Sequence, residues 1–181
     1  MRRLTTLTVA ALTGLIAAGC ATMNVSSHVE RGLDVGRYST YGWGPADALP
    51  AGDARLDEDP FFQDHLEGAV EKALTARGLA WSTGVPPDLL VHYHANISER
   101  IDVGRVDRDR GYCPPGDCTV PTVTYEAGTL VIDVIDARTN RLIWRGWAQS
   151  AVKGMLNDQD TMARQIDEAV ARMFAEFPRP L

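Results

Sequence analysis

The sequence predicts an α+β fold, a mostly antiparallel β-sheet with two helices packed on one face. Three observations predict it. Gly128–Ala148 is a pair of apolar, β-branched runs around the turn formers Asp136–Asn140, which reads as a β-hairpin. Asp88–Val103 alternates apolar and polar residues for about ten positions, the period of a long half-buried strand. Two further stretches, one before these strands and one after them, repeat their apolar residues at helical spacing between capping signals.

Taken in order, Ala21–Gly36 is polar, lacks periodicity and reads as a short tether, with His28 an exposed linker residue. Tyr38–Trp43 is a short aromatic strand closed by Gly44-Pro45. Its Tyr41 and Trp43 share one face and are expected in the core, with an aromatic ligand platform as the alternative. Ala46–Asp59 is a Pro, Gly and Asp-rich loop. Asp59 suits an N-cap and Pro60 the first helical position. Phe62, Leu66, Ala69, Val70 and Ala73 then form a stripe that Gly78 ends, with His65 on its flank. Leu79–Trp81 is a brief strand and Ser82–Pro87 a turn.

In the long strand Leu89, Val91, Tyr93, Ala95 and Ile97 make one face; Leu90, His92, His94, Asn96 and Ser98 make the other. Gly104–Pro121 mixes alternating charge with Gly and Pro and reads as an exposed excursion. In the hairpin Leu130, Ile132 and Val134 alternate against Val131, Asp133 and Ile135. Its partly apolar second face suits a central strand pair. Asn157–Asp160 caps a last helix with the stripe Met162, Ile166, Ala169, Val170, Met173 and Phe177, stopped by Pro178.

The chain of 181 residues carries 18 Lys and Arg against 24 Asp and Glu, a net charge of −6. Its only lysines are Lys72 and Lys153, and no run of basic residues occurs, which argues against nucleic acid as a partner. Arg2 and Arg3 precede Leu4–Ala18, an apolar stretch short for a membrane span and suited to an export signal. Ala17-Ala18-Gly19-Cys20 resembles a bacterial lipobox, although Ala17 stands where Leu is commoner. The resemblance implies cleavage before Cys20 and acylation of that residue. Several acyl chains on one residue would hold the protein at a membrane, since one alone holds only marginally. Ala21 rather than Asp after the cysteine favours, by similarity to sorted lipoproteins, the inner leaflet of the outer membrane, facing the periplasm. The expected organisation is a signal peptide over 1–19, a lipidated cysteine and tether over 20–36, and one α+β domain over 37–181, enough to bury a core.

Cys113 and Cys118 bracket Pro-Pro-Gly-Asp. Two close cysteines in an exported chain are expected to pair as a structural disulfide that pins a local loop. A redox pair prefers two intervening residues, and a zinc site needs further ligands.

The sharpest candidate for chemistry is His92-x-His94. Alternate strand positions place both imidazoles on one face, about 7 Å apart along the strand. They could supply two zinc ligands, with Asp133 or Asp136 as a third, for a metal-dependent hydrolase. The preferred reading is a polar sheet face. No Gly-x-Ser-x-Gly elbow and no Gly-rich phosphate loop is present. Asp136 is explained as a turn former, and Asp57-Glu58-Asp59 suits a helix start. Trp144, Arg145 and Trp147 form a candidate binding surface, although the preferred reading of Trp144 is that it fills the core under the two helices. Alternation places Trp147 on the opposite face unless Gly146 is a bulge.

Cys20, Tyr38-x-x-Tyr41-x-Trp43, Asp88-Leu-Leu-Val91, Gly128–Asp133 with Trp144-Arg-Gly146, and Phe177-Pro178 together resemble the bacterial lipoprotein family called domain of unknown function 4136. The resemblance implies a single α+β domain held at an envelope membrane. It supplies no catalytic residues, and the cysteine excursion stands outside the family pattern. The expectation is therefore a non-catalytic, cofactor-free binding domain, anchored through Cys20 and meeting an envelope protein partner. A carrier of small ligands or lipids, using a groove between helices and sheet, is the alternative.

Overall fold

The computed structural model describes residues 23–45, 52–102 and 124–179. Cys20, the signal segment and the Cys113–Cys118 excursion lie outside the described residues. Strands β1 (Asn24–Val29), β2 (Thr40–Trp43), β3 (Ala80–Trp81), β4 (Leu89–Ile101), β5 (Thr124–Asp136) and β6 (Arg141–Ala151) form one sheet in the order β1-β6-β5-β4-β2-β3. The helices are α1 (Ala54–Asp57), α2 (Pro60–Thr75) and α3 (Gln159–Ala175). The fold is α+β and the sheet mostly antiparallel; β2 pairs in parallel with both β3 and β4.

Local chemistry explains the elements. Asp59 caps α2, accepting from the Phe61 and Phe62 amides, with Pro60 at the first turn. Asp158 caps α3 through the Thr161 amide. The β5–β6 turn closes with Asn140 at φ 54°, a left-handed position that Asn tolerates. Asp88 sets the parallel register of β2. Its carboxylate accepts from the Ser39 and Thr40 amides at 2.8 and 3.0 Å, while its own amide donates to the Thr40 hydroxyl.

Among the described residues, α1, α2 and α3 bury their apolar residues against the same sheet face. Phe62 of α2 meets Tyr93, and Phe174 of α3 meets Trp144 with ring centroids 5.1 Å apart. Leu56 of α1 lines a space shared with Ala95 and Leu130.

The segment read as a tether is a correction. Asn24–Val29 pairs antiparallel with β6 from Asn24–Gln149 to Val29–Trp144, and Met23 and Val35 are buried in the core. Only Val25 and Val29 are apolar in this strand. An edge strand gains most of its stability from backbone pairing with a neighbour, so it leaves little periodicity to read.

The bulge lies between Val134 and Ile135, not at Gly146. Gly146 serves close packing instead: a Cβ there would sit 2.4 Å from Trp144 Cη2 and 3.2 Å from Met173 Cβ. Gly146→Ala must displace a packed indole. It is expected to cost about 1–3 kcal/mol, measured as a lower urea midpoint with unchanged slope; an unchanged midpoint would show that the ring has room to move.

Candidate functional site

The sheet face away from the helices carries the residues singled out for chemistry. Register places His92 opposite Asp133, His94 opposite Val131, Asp133 opposite Arg145 and Val131 opposite Trp147. The face thus gathers His92, His94, Asp133, Arg145 and Trp147 across three neighbouring strands.

Within it, Arg145 grips Asp133 with two hydrogen bonds, Nε to Oδ1 and Nη2 to Oδ2, each 2.6 Å. Asp133 is 3 % exposed, so the pair holds a buried carboxylate under a guanidinium that reaches solvent. The Asp133 carboxylate raises the Arg145 guanidinium above its ordinary value and keeps it charged. Beside this pair Trp147 is 37 % exposed.

The histidines do not assemble with Asp133. The backbone of Gly44 lies against the His92 ring, where a Cβ would fall 2.0 Å from Cε1, and the Gly44 amide donates to Val91 O. Both Asp133 oxygens are engaged by Arg145. Among the described residues no group of three or more His, Cys, Asp or Glu side chains is placed to hold a metal ion. Asp136 lies at the far end of β5, in a network of its own.

Trp144 is a correction to the candidate surface. It is fully buried, stacked among Phe174 and Phe177 at 5.1 and 5.2 Å, and its Nε1 finds no partner among the described residues. Alternation separates it from Arg145 and Trp147, which stay on the open face.

At the sheet end bearing the β5–β6 turn, the fold builds a polar cavity of about 250 Å³ that sequence reading missed. Arg31, Arg37, Arg138 and Arg141 line it, together with Glu30 and Asp136. Arg141 pairs with Glu30, and Arg37 reaches Asp136 at 3.0 Å. Asp136 also accepts from the Tyr38 hydroxyl at 2.9 Å and from the Arg138 and Thr139 amides. The Thr139 amide does most to hold its carboxyl down to about 2, with burial opposing and the Tyr38 hydroxyl assisting. These arginines come from the β1–β2 connection and the hairpin turn, far apart in sequence, so no basic run could announce them.

The groove between helices and sheet holds an apolar cavity of about 50 Å³ lined by Met23, Phe62, Leu130 and Ile166. Gln165 lines it too, and its buried Oε1 has no partner among the described residues. An engineered apolar cavity of about 150 Å³ takes benzene; this space is about a third of that size.

No curated protein matches the sequence. Among solved structures, the chain is similar to a PDZ domain protein from Parabacteroides distasonis, with 15 % identity and a TM-score of 0.53 over 86 % of this chain and 36 % of that one. The chain therefore spans little more than a third of that protein. It is similar to a DUF4136 family protein from Bacteroides thetaiotaomicron, with 13 % identity and a TM-score of 0.53 over 85 % of this chain and 95 % of that one. The PelC dodecamer from Paraburkholderia phytofirmans matches with 12 % identity and a TM-score of 0.46, over 85 % of this chain and 95 % of that one. At these identities the first two likenesses are of fold alone. The family model described as Domain of unknown function (DUF4136) matches residues 25–179, from the first strand to beyond the last helix. The chain belongs to the DUF4136 family.

Proposed function

We propose that this protein is a non-catalytic recognition domain, lipid-anchored through Cys20 at the bacterial envelope and facing the periplasm. Its open sheet face binds an envelope protein around Trp147 and Arg145. The observation that carries the reading is the exposed Trp147 beside an Arg145 already fixed by Asp133. Tryptophan and arginine dominate protein-binding energies, and a pre-oriented guanidinium loses little freedom on binding. Two other acids are also committed to structure: Asp136 to its turn and Asp88 to the β2 amides.

The test is crosslinking in cells, with a photoreactive phenylalanine analogue at Trp147. A control copy carries it at Glu168, exposed on α3. One discrete protein adduct is expected from Trp147 and none from Glu168, with loss of the adduct when Cys20→Ser releases the anchor. Adducts equal at both positions, or absent from Trp147, would overturn the assignment of this face.

A further inference from the structure

The hairpin-turn end of the sheet carries more guanidinium than its own acids consume. Arg31, Arg37, Arg138 and Arg141 line one cavity of about 250 Å³, and the acids that line it are Glu30, Asp34 and Asp136. Arg141 pairs with Glu30 and Arg37 with Asp136. Asp34 caps the short helical turn Val35–Arg37, accepting from the Gly36 amide at 3.0 Å. Among the described residues, neither Arg31 nor Arg138 has a carboxylate partner. In a chain of net charge −6 this is a local excess of positive charge, and a concave site concentrates its field.

Both unpaired arginines stand on backbone that is held in place. The Leu33 amide donates to Glu30 O, with Gly32 at φ 76°, and this closes the turn that carries Arg31. The Asp136 carboxylate accepts from the Arg138 and Thr139 amides at 3.0 and 2.9 Å, which pins the hairpin turn. Two rigid turns, distant in sequence, therefore present one guanidinium each to the same space.

The arrangement favours phosphate over carboxylate. A carboxylate offers two oxygens in one plane, and a single guanidinium satisfies both, as Arg145 does for Asp133. A phosphomonoester carries about −1.5 to −2 charge near neutral pH and three acceptor oxygens, which point in different directions. Two arginines from separate turns match that charge and that spread. Volume limits the size of the ligand. Small-molecule sites run from about 300 to 1,000 Å³, so this cavity admits a phosphate with a small attached group rather than a large cofactor. A second space of about 290 Å³ adjoins it across Arg37, Asp136 and Arg138, which line both.

We propose that this cavity binds a phosphomonoester group between Arg31 and Arg138. The site is separate from the Trp147 face and does not depend on it. The test is isothermal titration calorimetry of the full-length protein in non-ionic detergent and phosphate-free buffer near neutral pH. The probes are glycerol phosphate, dioctanoyl phosphatidic acid and acetate. Glycerol phosphate is expected to saturate one site per chain, with acetate weaker by about tenfold or more. Arg31→Gln and Arg138→Gln should each weaken glycerol phosphate about tenfold, and the double variant should abolish saturable binding. Arg172→Gln, which breaks only the exposed pair with Glu168 on α3, should bind as the wild type does. Neither Arg31 nor Arg138 holds another side chain, so their variants should keep the wild-type urea midpoint. Equal affinity for glycerol phosphate and phosphatidic acid assigns the site to a soluble phosphomonoester. Tighter binding of phosphatidic acid, lost in the double variant, assigns it to a lipid headgroup. No saturable binding of either phosphate probe, binding retained in the double variant, or acetate bound as tightly as glycerol phosphate would overturn the proposal.

Discussion

Trp144→Ala is expected to lower the stability of the domain by about 3–5 kcal/mol. The indole is fully buried and ties β6 to the C-terminal end of α3 through Phe174 and Phe177. Its loss removes the largest buried side chain of the core, and the surrounding rings can collapse only in part. The Nε1 without a partner means that truncation deprives no other group of a hydrogen bond. The cost is therefore one of packing. Urea unfolding followed by far-ultraviolet circular dichroism measures it, with a lower midpoint at unchanged slope. Trp147→Ala, on the other face, is the contrast: under about 1 kcal/mol in stability. A Trp144→Ala protein as stable as the parent would remove the indole from the core.

Asp136→Asn should cost roughly 2 kcal/mol at neutral pH, and the cost should depend on acidity in a stated direction. The carboxylate accepts from Tyr38, Arg37 and two turn amides. An amide in its place keeps one acceptor for the turn but presents N–H to donors on the other side. The folded carboxyl titrates at about 2 against an ordinary value of 3.8. A carboxyl depressed by folding stabilises the native state fully above its unfolded value, and that contribution fades as pH falls through the folded value. The gap between wild type and Asp136→Asn should accordingly be constant near neutrality and close between about pH 4 and pH 2. Asp158, held low by the Thr161 amide, loses stability in acid in both proteins and cancels from the comparison; Asp88, held low by the Ser39 and Thr40 amides but opposed by the nearby Asp136 charge, is held lower still in Asp136→Asn. A gap that stays constant down to about pH 2 would mean that the ionised carboxylate of Asp136 is not what the network stabilises.

The candidate site was legible in part. Alternation along β6 put Trp147 and Arg145 on one face and Trp144 on the other, as found. It could not say which face the helices would cover, because both carry apolar residues. The Asp133–Arg145 pair depends on strand register, which a hairpin with a bulge at Val134 does not declare in its sequence. In the linear chain His92 stands open beside His94; the β2 exit brings Gly44 over its ring. The arginine-lined cavity joins a connection near residue 31 to a turn near residue 138, and nothing local links them.

The sequence by itself determined the α+β class, the hairpin, the two long helices with their Asp caps, and the family. Each is local: alternation, helical spacing, turn chemistry and short motifs act between near neighbours and survive in the linear chain. The tertiary structure alone decided that 24–29 is an edge strand rather than a tether and that β2 runs parallel to β4. It also decided that four arginines meet at one end of the sheet and that β4 and β5 stay paired beyond the end of β6 at the other. These outcomes depend on which distant segments pair and which face is covered. They follow from the burial and backbone pairing of the whole chain, a sum that no single stretch of residues contains.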